Sequence, residues 1–197
     1  MIVLATLSEH KLREIQQLPS AAGLELTPIF SLGLPPEVEE SGSSLEENAA
    51  IKAVKYSLWL KRELGIEPPV LAEDSGLQIE ALLGWPGVES KRAADSDTAR
   101  IALALDKMTD LPMREAYFIA YVALAVNGHL LRTWRGASAG RITSVARGAS
   151  GFGYDPIFED AELGRTFAEL TPEEKNQRSH RGKAWMQAFE HLRQTKL

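Results

Sequence analysis

Two apolar runs joined by the dipeptide Asn127-Gly128 constrain the fold of this chain more than any other feature of its sequence. The runs cover residues 117–126 and 129–134. Asn and Gly both tolerate positive φ, and the two-residue turns that connect antiparallel strands require such angles. The pattern therefore predicts a tight hairpin and at least one antiparallel strand pair.

The rest of the chain alternates between extended and helical patterns. Extended segments are predicted at residues 1–5, 24–30 and 70–79, and helices at residues 44–64 and 97–108. A further helix follows the loop Thr6-Leu7-Ser8, with Leu12, Ile15 and Leu18 on its apolar side. Irregular loops rich in Gly and small or polar residues are predicted at residues 33–43 and 144–153.

The segment Thr171-Pro172-Glu173-Glu174 has the residue order of a capping box and predicts the start of a C-terminal helix. An apolar stripe continues this helix towards the C-terminus, and Ser179 or Gly182 is a candidate break that divides it into two pieces. Together these patterns predict an α/β protein with mixed strand pairing. At 197 residues, the chain is expected to form one domain, residues 1–197.

Composition excludes several classes of function. The 27 acidic residues outnumber the 22 Lys and Arg, and the net charge of −5 argues against a surface that binds nucleic acid. The absence of Cys excludes disulfides and thiolate metal sites, and a reducing cytoplasm is the expected location. The longest apolar run, residues 116–126, is well short of the ~20 residues of a membrane span, so no membrane partner is expected.

The loop between the first strand and the first helix is a candidate phosphate site. Thr6, Ser8 and Lys11 surround the free N–H groups of a helix start, and such an end attracts anions. The alternative is that Ser8 is an ordinary N-cap and Lys11 is solvated. The loop lacks the pattern GxxxxGK[ST] and is not a P-loop.

Acidic residues provide a candidate metal site. Asp74 follows an apolar strand and precedes Ser75-Gly76, so its carboxylate is expected to be partly enclosed. Such a carboxylate suits a hard divalent cation that bridges phosphate oxygens, and Glu39 in the acidic loop is the candidate second ligand. The sequence leaves open whether Glu39 or Glu40 faces the cation, and both acids are otherwise ordinary solvated loop residues.

Lys52 lies in an apolar part of the long helix, four residues after Asn48 and on the same face. An amine in these surroundings is a candidate phosphate ligand. The alternative is a surface lysine whose stem packs along the helix and whose amine reaches water.

Two groups of residues favour a purine base. Phe152 and Tyr154 flank Gly153, and Asp155 follows them; aromatic faces stack on bases, and a carboxylate accepts from ring N–H groups. Further along, donors suited to a 6-oxo purine and unsuited to the 6-amino group of adenine are provided by Lys175, His180 and Arg181. Taken separately, the first group is also typical of a core turn, and the second of a helix surface.

Taken together and in order, these residues resemble the non-canonical purine nucleoside triphosphate pyrophosphatases, the Ham1-like or inosine triphosphatase family. The matching segments run over almost the whole chain and are Thr6-x-Ser8-x-x-Lys11 with Glu14, Glu39-Glu40-x-Gly42, Glu47-Asn48 with Lys52, Glu73-Asp74-Ser75-Gly76-Leu77, Pro86-Gly87, Gly151-Phe152-Gly153-Tyr154-Asp155-Pro156, Glu173-Glu174-Lys175 and Ser179-His180-Arg181. This chain departs from the family pattern at Leu7 and Ser8, where Gly-Asn is usual, and at Glu73, where Asp is common.

The resemblance implies an elongated α/β fold whose mixed sheet forms two lobes around a nucleotide-binding cleft, usually in a homodimer. It implies hydrolysis of ITP, dITP and XTP between the α and β phosphates with Mg²⁺. On this reading, Asp74 is the catalytic residue and shares Mg²⁺ with Glu39. The implied substrate-binding residues are Thr6, Ser8, Lys11, Lys52, Ser75, Phe152, Gly153, Tyr154, Asp155, Lys175, His180 and Arg181.

Two other functions fit the same residues. A Maf-like pyrophosphatase carries out this reaction on pyrimidine or modified nucleotides, and residue types alone do not exclude a pyrimidine. A nucleotide-binding regulator without turnover is the second alternative, which the acid and lysine residues Asp74, Glu39 and Lys52 argue against.

Overall fold

One mixed sheet organises the protein, as seen in a computed structural model that describes residues 1–195. Its strands are β1 (Ile2–Leu4), β2 (Leu26–Pro28), β3 (Val70–Ile79), β4 (Trp85–Pro86), β5 (Glu115–Val126), β6 (His129–Ile142) and β7 (Phe158–Asp160). The helices of the described residues are α1 (Glu9–Gln16), α2 (Leu45–Leu64), α3 (Asp97–Lys107), α4 (Pro172–Arg178) and α5 (His180–Gln194). This mixture confirms the predicted α/β class.

Strand order in the sheet is β2-β1-β3-β5-β6-β7, with the short β4 paired to β3. β1 runs parallel to both β2 and β3, whereas β3, β5, β6 and β7 pair antiparallel in turn. The sheet therefore has a small parallel end, where β1 leads into α1, and a larger antiparallel part built on the β5–β6 hairpin.

Side chains on β3 and β5 alternate between two cores, as the period of a strand requires. On one face, Leu71 and Val122 pack in a cluster with residues of α1 and α5. On the other face, Val70 and Ala72 pack against the apolar side of α2. A third cluster, with Phe118, Phe158 and Phe167, fills the distal end of the sheet beside α3. The sheet is thus covered on both faces.

The predicted hairpin is confirmed, with Asn127 at φ 51° and Gly128 at φ 80° in the turn. Its second strand continues to Ile142, beyond the predicted end at residue 134. Gly136 and Gly140 weaken the strand pattern of this extension, but the backbone of other elements approaches both positions closely. Tertiary packing therefore extends the strand where local propensity does not.

Other boundaries agree with the patterns or differ for local reasons. The extended segment predicted at residues 24–30 contains only a three-residue strand, because a 3₁₀ turn, Ile29–Leu32, follows Pro28. The C-terminal helix breaks at Ser179, whose side chain accepts a hydrogen bond from the Gly182 N–H at 3.0 Å and caps α5. Across residues 1–195, no helix has the length and apolar character needed to cross a membrane.

Gly136 provides a test of how α5 is seated on the sheet. A Cβ at this position would lie 2.1 Å from the carbonyl oxygen of His180 and 2.6 Å from the backbone nitrogen of Ala184. Because backbone atoms cannot rotate away, we expect Gly136→Ala to destabilise the protein by about 1–3 kcal/mol in urea unfolding. Arg135→Ala, an exposed change on the same strand, is the control and should stay within about 0.5 kcal/mol of wild type. Equal stability of the two variants would contradict this packing.

Candidate active site

The site begins where β3 extends past the end of its parallel neighbour, β1. The ladder between β1 and β3 covers Val70 and Leu71, and β3 then continues to Ile79. Glu73 and Asp74 therefore lie beyond the end of β1, beside the loop that leads into α1. Since neighbouring side chains on a strand point to opposite faces, these two acids serve different sides of the sheet.

Glu73 points towards α5 and is the centre of a buried ion cluster. Its carboxylate accepts two bonds from Nε of Arg181, at 2.9 and 3.1 Å, and one from Nη2 at 2.8 Å. Trp185 Nε1 donates to it at 2.6 Å, and Lys11 Nζ lies 3.3 Å away. Burial opposes the charged form, but Arg181 and Lys11 outweigh it and hold the pKa of Glu73 well below its usual range.

A second carboxylate, Glu14 on α1, extends this cluster towards α4. It accepts from Arg181 Nη1 at 2.6 Å and from Lys175 Nζ at 2.5 Å. Lys175 also donates to Asp155 Oδ2 at 2.6 Å, and Arg181 Nη2 donates to Ser75 Oγ at 3.1 Å. Three helices, β3 and the loop that carries Asp155 are therefore tied together by charges that are buried, except for the partly exposed Glu14.

Asp74 points to the other face, towards α2. Lys52 Nζ donates to Asp74 Oδ1 at 2.7 Å and to Glu40 Oε1 at 3.1 Å. The second carboxylate oxygen, Asp74 Oδ2, is buried and has no hydrogen-bond partner. Burial raises the pKa of Glu40, but Lys52 and the nearby Lys11 and Arg92 lower it by more, so this acid stays charged. Lys52 and Asp74 are therefore neighbours, as the sequence predicted.

The two candidate metal acids of the loop differ in position. Glu39 is exposed, whereas Glu40 is partly buried against Lys52 and thus lies near Asp74. The structure therefore places Glu40, rather than the predicted Glu39, beside the catalytic candidate. Within residues 1–195, no group of three or more Asp, Glu or His side chains is arranged to hold a metal ion.

The predicted phosphate loop has features of both alternatives, the inward-facing cation of a phosphate site and an ordinary N-cap. Ser8 is the N-cap of α1, its Oγ accepting from the Lys11 N–H at 3.4 Å, and Thr6 Oγ1 accepts from the Ser8 N–H at 3.2 Å. Lys11 is not solvated, because its amine turns inward to Glu73. Burial, with Arg181 and Lys52 nearby, lowers the pKa of Lys11 despite the attraction of Glu73.

The ring of Phe152 covers the cations at the other end of this cluster. Lys175 Nζ lies 5.0 Å and the Arg181 guanidinium carbon 5.4 Å from the ring centroid. His10 of α1 stacks on the same ring, with centroids 5.2 Å apart. The Gly153 N–H donates to Asp97 Oδ2 at 2.7 Å and fixes the loop at the start of α3. Aromatic, cationic and acidic groups are thus in contact from Phe152 to Glu73, the residue before Asp74.

A sequence model of the Ham1 family matches residues 2–191. The chain belongs to the Ham1 family. A dITP/XTP pyrophosphatase of Geobacillus kaustophilus is 43% identical over 188 residues, which are 93% of this chain and 89% of that protein. One from Desulfotalea psychrophila is 40% identical over 187 residues, 93% of this chain and 81% of its own length. The solved structure of a HAM1 protein from Coxiella burnetii, 39% identical, superposes with a TM-score of 0.85 over 98% of both chains. The family resemblance is confirmed.

Within this Ham1-family site, Tyr154 is almost completely buried. Its ring is buried in the distal core, and its hydroxyl donates to the Ser90 carbonyl oxygen at 3.1 Å. Burial raises the pKa of this hydroxyl to about 12. Tyr154 therefore anchors the loop that carries Phe152, and its contact with a purine base stays a prediction.

Asp155 and His180 are also more enclosed than their sequence suggested. Asp155 Oδ2 accepts from the Phe152 N–H at 2.8 Å, and burial raises the pKa of this acid although Lys175 opposes the shift. His180 stacks on Phe118 with centroids 4.6 Å apart, and its Nδ1 is buried without a partner. Burial and the adjacent Arg181 lower the pKa of His180 well below 6.5, so the imidazole is neutral.

Glu14 and Glu73 were recognised in the family motifs but not as members of the site. The signals were present: Glu14 follows Lys11 by three residues on α1, and Glu73 alternates with Asp74 on a strand. Neither signal identifies the partner, because Arg181 is 167 residues from Glu14 and 108 from Glu73. Burial between distant elements converts both from ordinary acids into counter-ions.

Glu73 allows a test of the buried cluster. Glu73→Ala leaves Arg181 and Lys11 without their shared carboxylate, so we expect a loss of about 3–5 kcal/mol in urea unfolding at neutral pH. Because the folded pKa of Glu73 is depressed, its stabilisation is fully present above the unfolded value near 4.5 and is lost as pH falls through the folded value. The difference between wild type and variant should therefore shrink below pH 4.5.

The matched control is Glu89→Ala, which removes an exposed glutamate that also forms a two-bond pair with an arginine, Arg92. This change should alter unfolding far less. If the two variants lost similar stability, or if the Glu73 effect did not depend on pH, the ion cluster would not have the stabilising role described.

Proposed function

We propose that this protein hydrolyses non-canonical purine nucleoside triphosphates, such as dITP, ITP and XTP, to the monophosphate and pyrophosphate, and so removes them before they enter DNA or RNA. The observation that carries the proposal is the free oxygen of Asp74, buried beside Lys52, in a Ham1-family chain. Its relatives, at 43% and 40% identity over most of their length, are dITP/XTP pyrophosphatases.

Charge complementarity supports a polyanionic substrate. Although the chain has a net charge of −5, Lys11 and Lys52 face one region at the C-terminal end of β1. The N-terminus of α1, with Thr6 and Ser8, adds backbone N–H groups to this region. The triphosphate binds here, where a few placed cations offset the repulsion of an acidic protein.

The acids of the site fit a divalent cation that arrives with the substrate. Mg²⁺ takes one or two carboxylates and completes its shell with water and phosphate oxygens, so a cluster of three protein acids is not needed. The Asp74 carboxylate and the neighbouring Glu40 are the groups that would hold it, with Glu39 as the alternative from the same loop. A bound Mg²⁺ would supply charge neutralisation at the phosphate oxygens.

Asp74 carries the chemical step. Lys52 holds Oδ1 at 2.7 Å, which fixes the carboxylate and leaves Oδ2 to accept a proton from the attacking water. The water oxygen bonds to the α phosphorus while the bond from this phosphorus to the oxygen that bridges to the β phosphate breaks. Pyrophosphate leaves with the electron pair of that bond. The protein contributes positioning and electrostatics, and no covalent intermediate is required.

Base selection belongs to the other end of the cluster. Phe152 offers the stacking surface. Gly153 shapes the backbone beside this ring, and Ser75 accepts from Arg181 and helps to position its guanidinium. Lys175 and Arg181 donate to keto oxygens, Asp155 accepts from a ring N–H, and the neutral His180 lines the pocket behind them.

The family resemblance further supports a homodimer that acts in the cytoplasm. Sedimentation of the purified protein tests the first point, and cell fractionation tests the second.

The catalytic assignment is tested with Asp74→Asn, which keeps the size of the side chain and removes the proton acceptor. We expect pyrophosphate release from ITP to fall at least a thousandfold with Mg²⁺ present, while the thermal unfolding midpoint shows that the variant is folded. Asp106→Asn, the same chemical change at an exposed aspartate of α3, is the matched control and should leave turnover unchanged. Near-normal turnover by Asp74→Asn would remove the assignment.

The stacking assignment is tested with Phe152→Ala, measured on ITP, dITP, XTP, GTP, ATP and UTP. Loss of a stacking face should lower kcat/KM by about tenfold to a hundredfold for every purine, because each base has a π-face. The ratio of ITP to ATP should persist, since Lys175 and Arg181 remain. Phe30→Ala, an exposed aromatic elsewhere, is the control. Preference for UTP in wild type would instead support the pyrimidine-specific alternative.

A further inference from the structure

The contacts of the site form two series that meet at the adjacent residues Glu73 and Asp74. One series of contacts runs from Phe152 over Arg181 to Glu73 and Lys11. A second series begins at Asp74, the next residue of β3, and runs to Lys52 and then to Glu40. It ends at Arg92, whose Nη1 lies 3.7 Å from Glu40 Oε2. A residue that no motif singled out thus forms the far end of the site, on the opposite side of Asp74 from the base-stacking ring.

Arg92 is held in place by its neighbours. Its Nε and Nη2 donate to the two oxygens of Glu89, each at 3.1 Å, and this two-bond geometry fixes the plane of the guanidinium. The remaining group, Nη1, is directed at Glu40 at a distance longer than a hydrogen bond. One edge of the Arg92 guanidinium is therefore anchored by Glu89. The other edge faces the acidic end of the site, where Glu40 is only a distant ionic partner.

The loop that carries Arg92 is fastened directly to β3 just beyond Asp74. Ser90 Oγ accepts from the Leu77 N–H at 2.9 Å and donates to the Gly87 carbonyl oxygen at 2.6 Å. Gly76 makes this approach possible, because a Cβ there would lie 2.3 Å from the Gly87 carbonyl oxygen. Arg92 consequently keeps a fixed position relative to Asp74 even though it is not part of the strand.

Stability does not account for this arrangement. The side chain of Arg92 is 46% exposed and that of Glu89 is 54% exposed. Exposed ion pairs of this kind add little to folding, in contrast to the buried cluster around Glu73. A planar, permanently charged guanidinium at the rim of an anion-binding site is instead suited to a phosphate group, which it binds with two parallel hydrogen bonds.

The direction of the substrate follows from the outer ends of the two series, Phe152 and Arg92. With the base on Phe152 and the bond that breaks at Asp74, the phosphates of the leaving group lie beyond Asp74, towards Glu40 and Arg92. A triphosphate extends one phosphate further in this direction than a diphosphate does. Glu40 is only loosely paired to Arg92, so the terminal phosphate replaces it at the guanidinium.

We propose that Arg92 binds the terminal phosphate of the leaving pyrophosphate and thereby makes the enzyme select nucleoside triphosphates over diphosphates. This inference rests on the proposed function, since it uses the orientation of a nucleotide cleaved at Asp74. It adds to that function a residue that measures the length of the phosphate chain, separate from the residues that select the base.

The test compares hydrolysis of ITP to IMP and pyrophosphate with hydrolysis of IDP to IMP and phosphate, in wild type and Arg92→Ala. We expect kcat/KM for ITP to fall about tenfold or more, the loss of a hydrogen-bonded charge, and kcat/KM for IDP to change less than twofold. The preference for ITP over ATP should not change. Arg92→Lys keeps the charge without the fork and should lie between wild type and Arg92→Ala.

The control is Arg13→Ala, which removes an exposed arginine, paired with Glu9, from α1. It should leave the ratio of ITP to IDP as in wild type. Equal losses for ITP and IDP in Arg92→Ala would overturn the proposal. If wild type hydrolysed neither nucleotide, the proposed function would fail, and calorimetric affinities for ITP and IDP would still decide whether Arg92 distinguishes the two chain lengths.

Discussion

The buried carboxylate of Glu73 is the interaction on which the rest of the structure depends. It receives Arg181 and Trp185 from α5 and Lys11 from α1, and through Arg181 it is linked to Glu14 and Lys175. A charge removed from water is costly unless it is paired and fully hydrogen-bonded, and here the partners come from two helices, α1 and α5. The bonds that satisfy Glu73 therefore fix α1 and α5 against β3, and Glu14 joins α4 to them.

The adjacent acid has a different role because a strand turns alternate side chains to opposite faces. Asp74 meets one lysine of α2 and keeps an oxygen without a partner, whereas every oxygen of Glu73 is occupied. One acid therefore organises the cations, and the other remains available for chemistry. In a chain with a net charge of −5, carboxylates such as that of Glu73 pair with the buried cations and hold them in place. Substrate oxygens then add to a cluster that is already formed.

Sequence patterns identified many of the residues in the site but few of their partners. Lys52 and Asp74 were predicted to meet a common ligand and are 2.7 Å apart, and the helix start at Ser8 has the expected cap. An aromatic residue beside a glycine turn suits a base or a core equally, and only the structure shows that Tyr154 packs in a core and donates to Ser90. Between Glu39 and Glu40, only the path of an irregular loop determines which side chain faces Lys52, and no periodic pattern encodes that path.

By itself, the sequence determined the local elements and the family: the hairpin turn at Asn127-Gly128, the capping box at Thr171, and the ordered motifs from Thr6 to Arg181. These depend on neighbouring residues or on order along the chain, both of which can be read directly. The tertiary structure alone decided which charges are partners, and it placed Arg92 at the far end of the site and His10 on Phe152. Such contacts join residues far apart in sequence, and their strength comes from burial and geometry that exist only after the sheet and helices have packed.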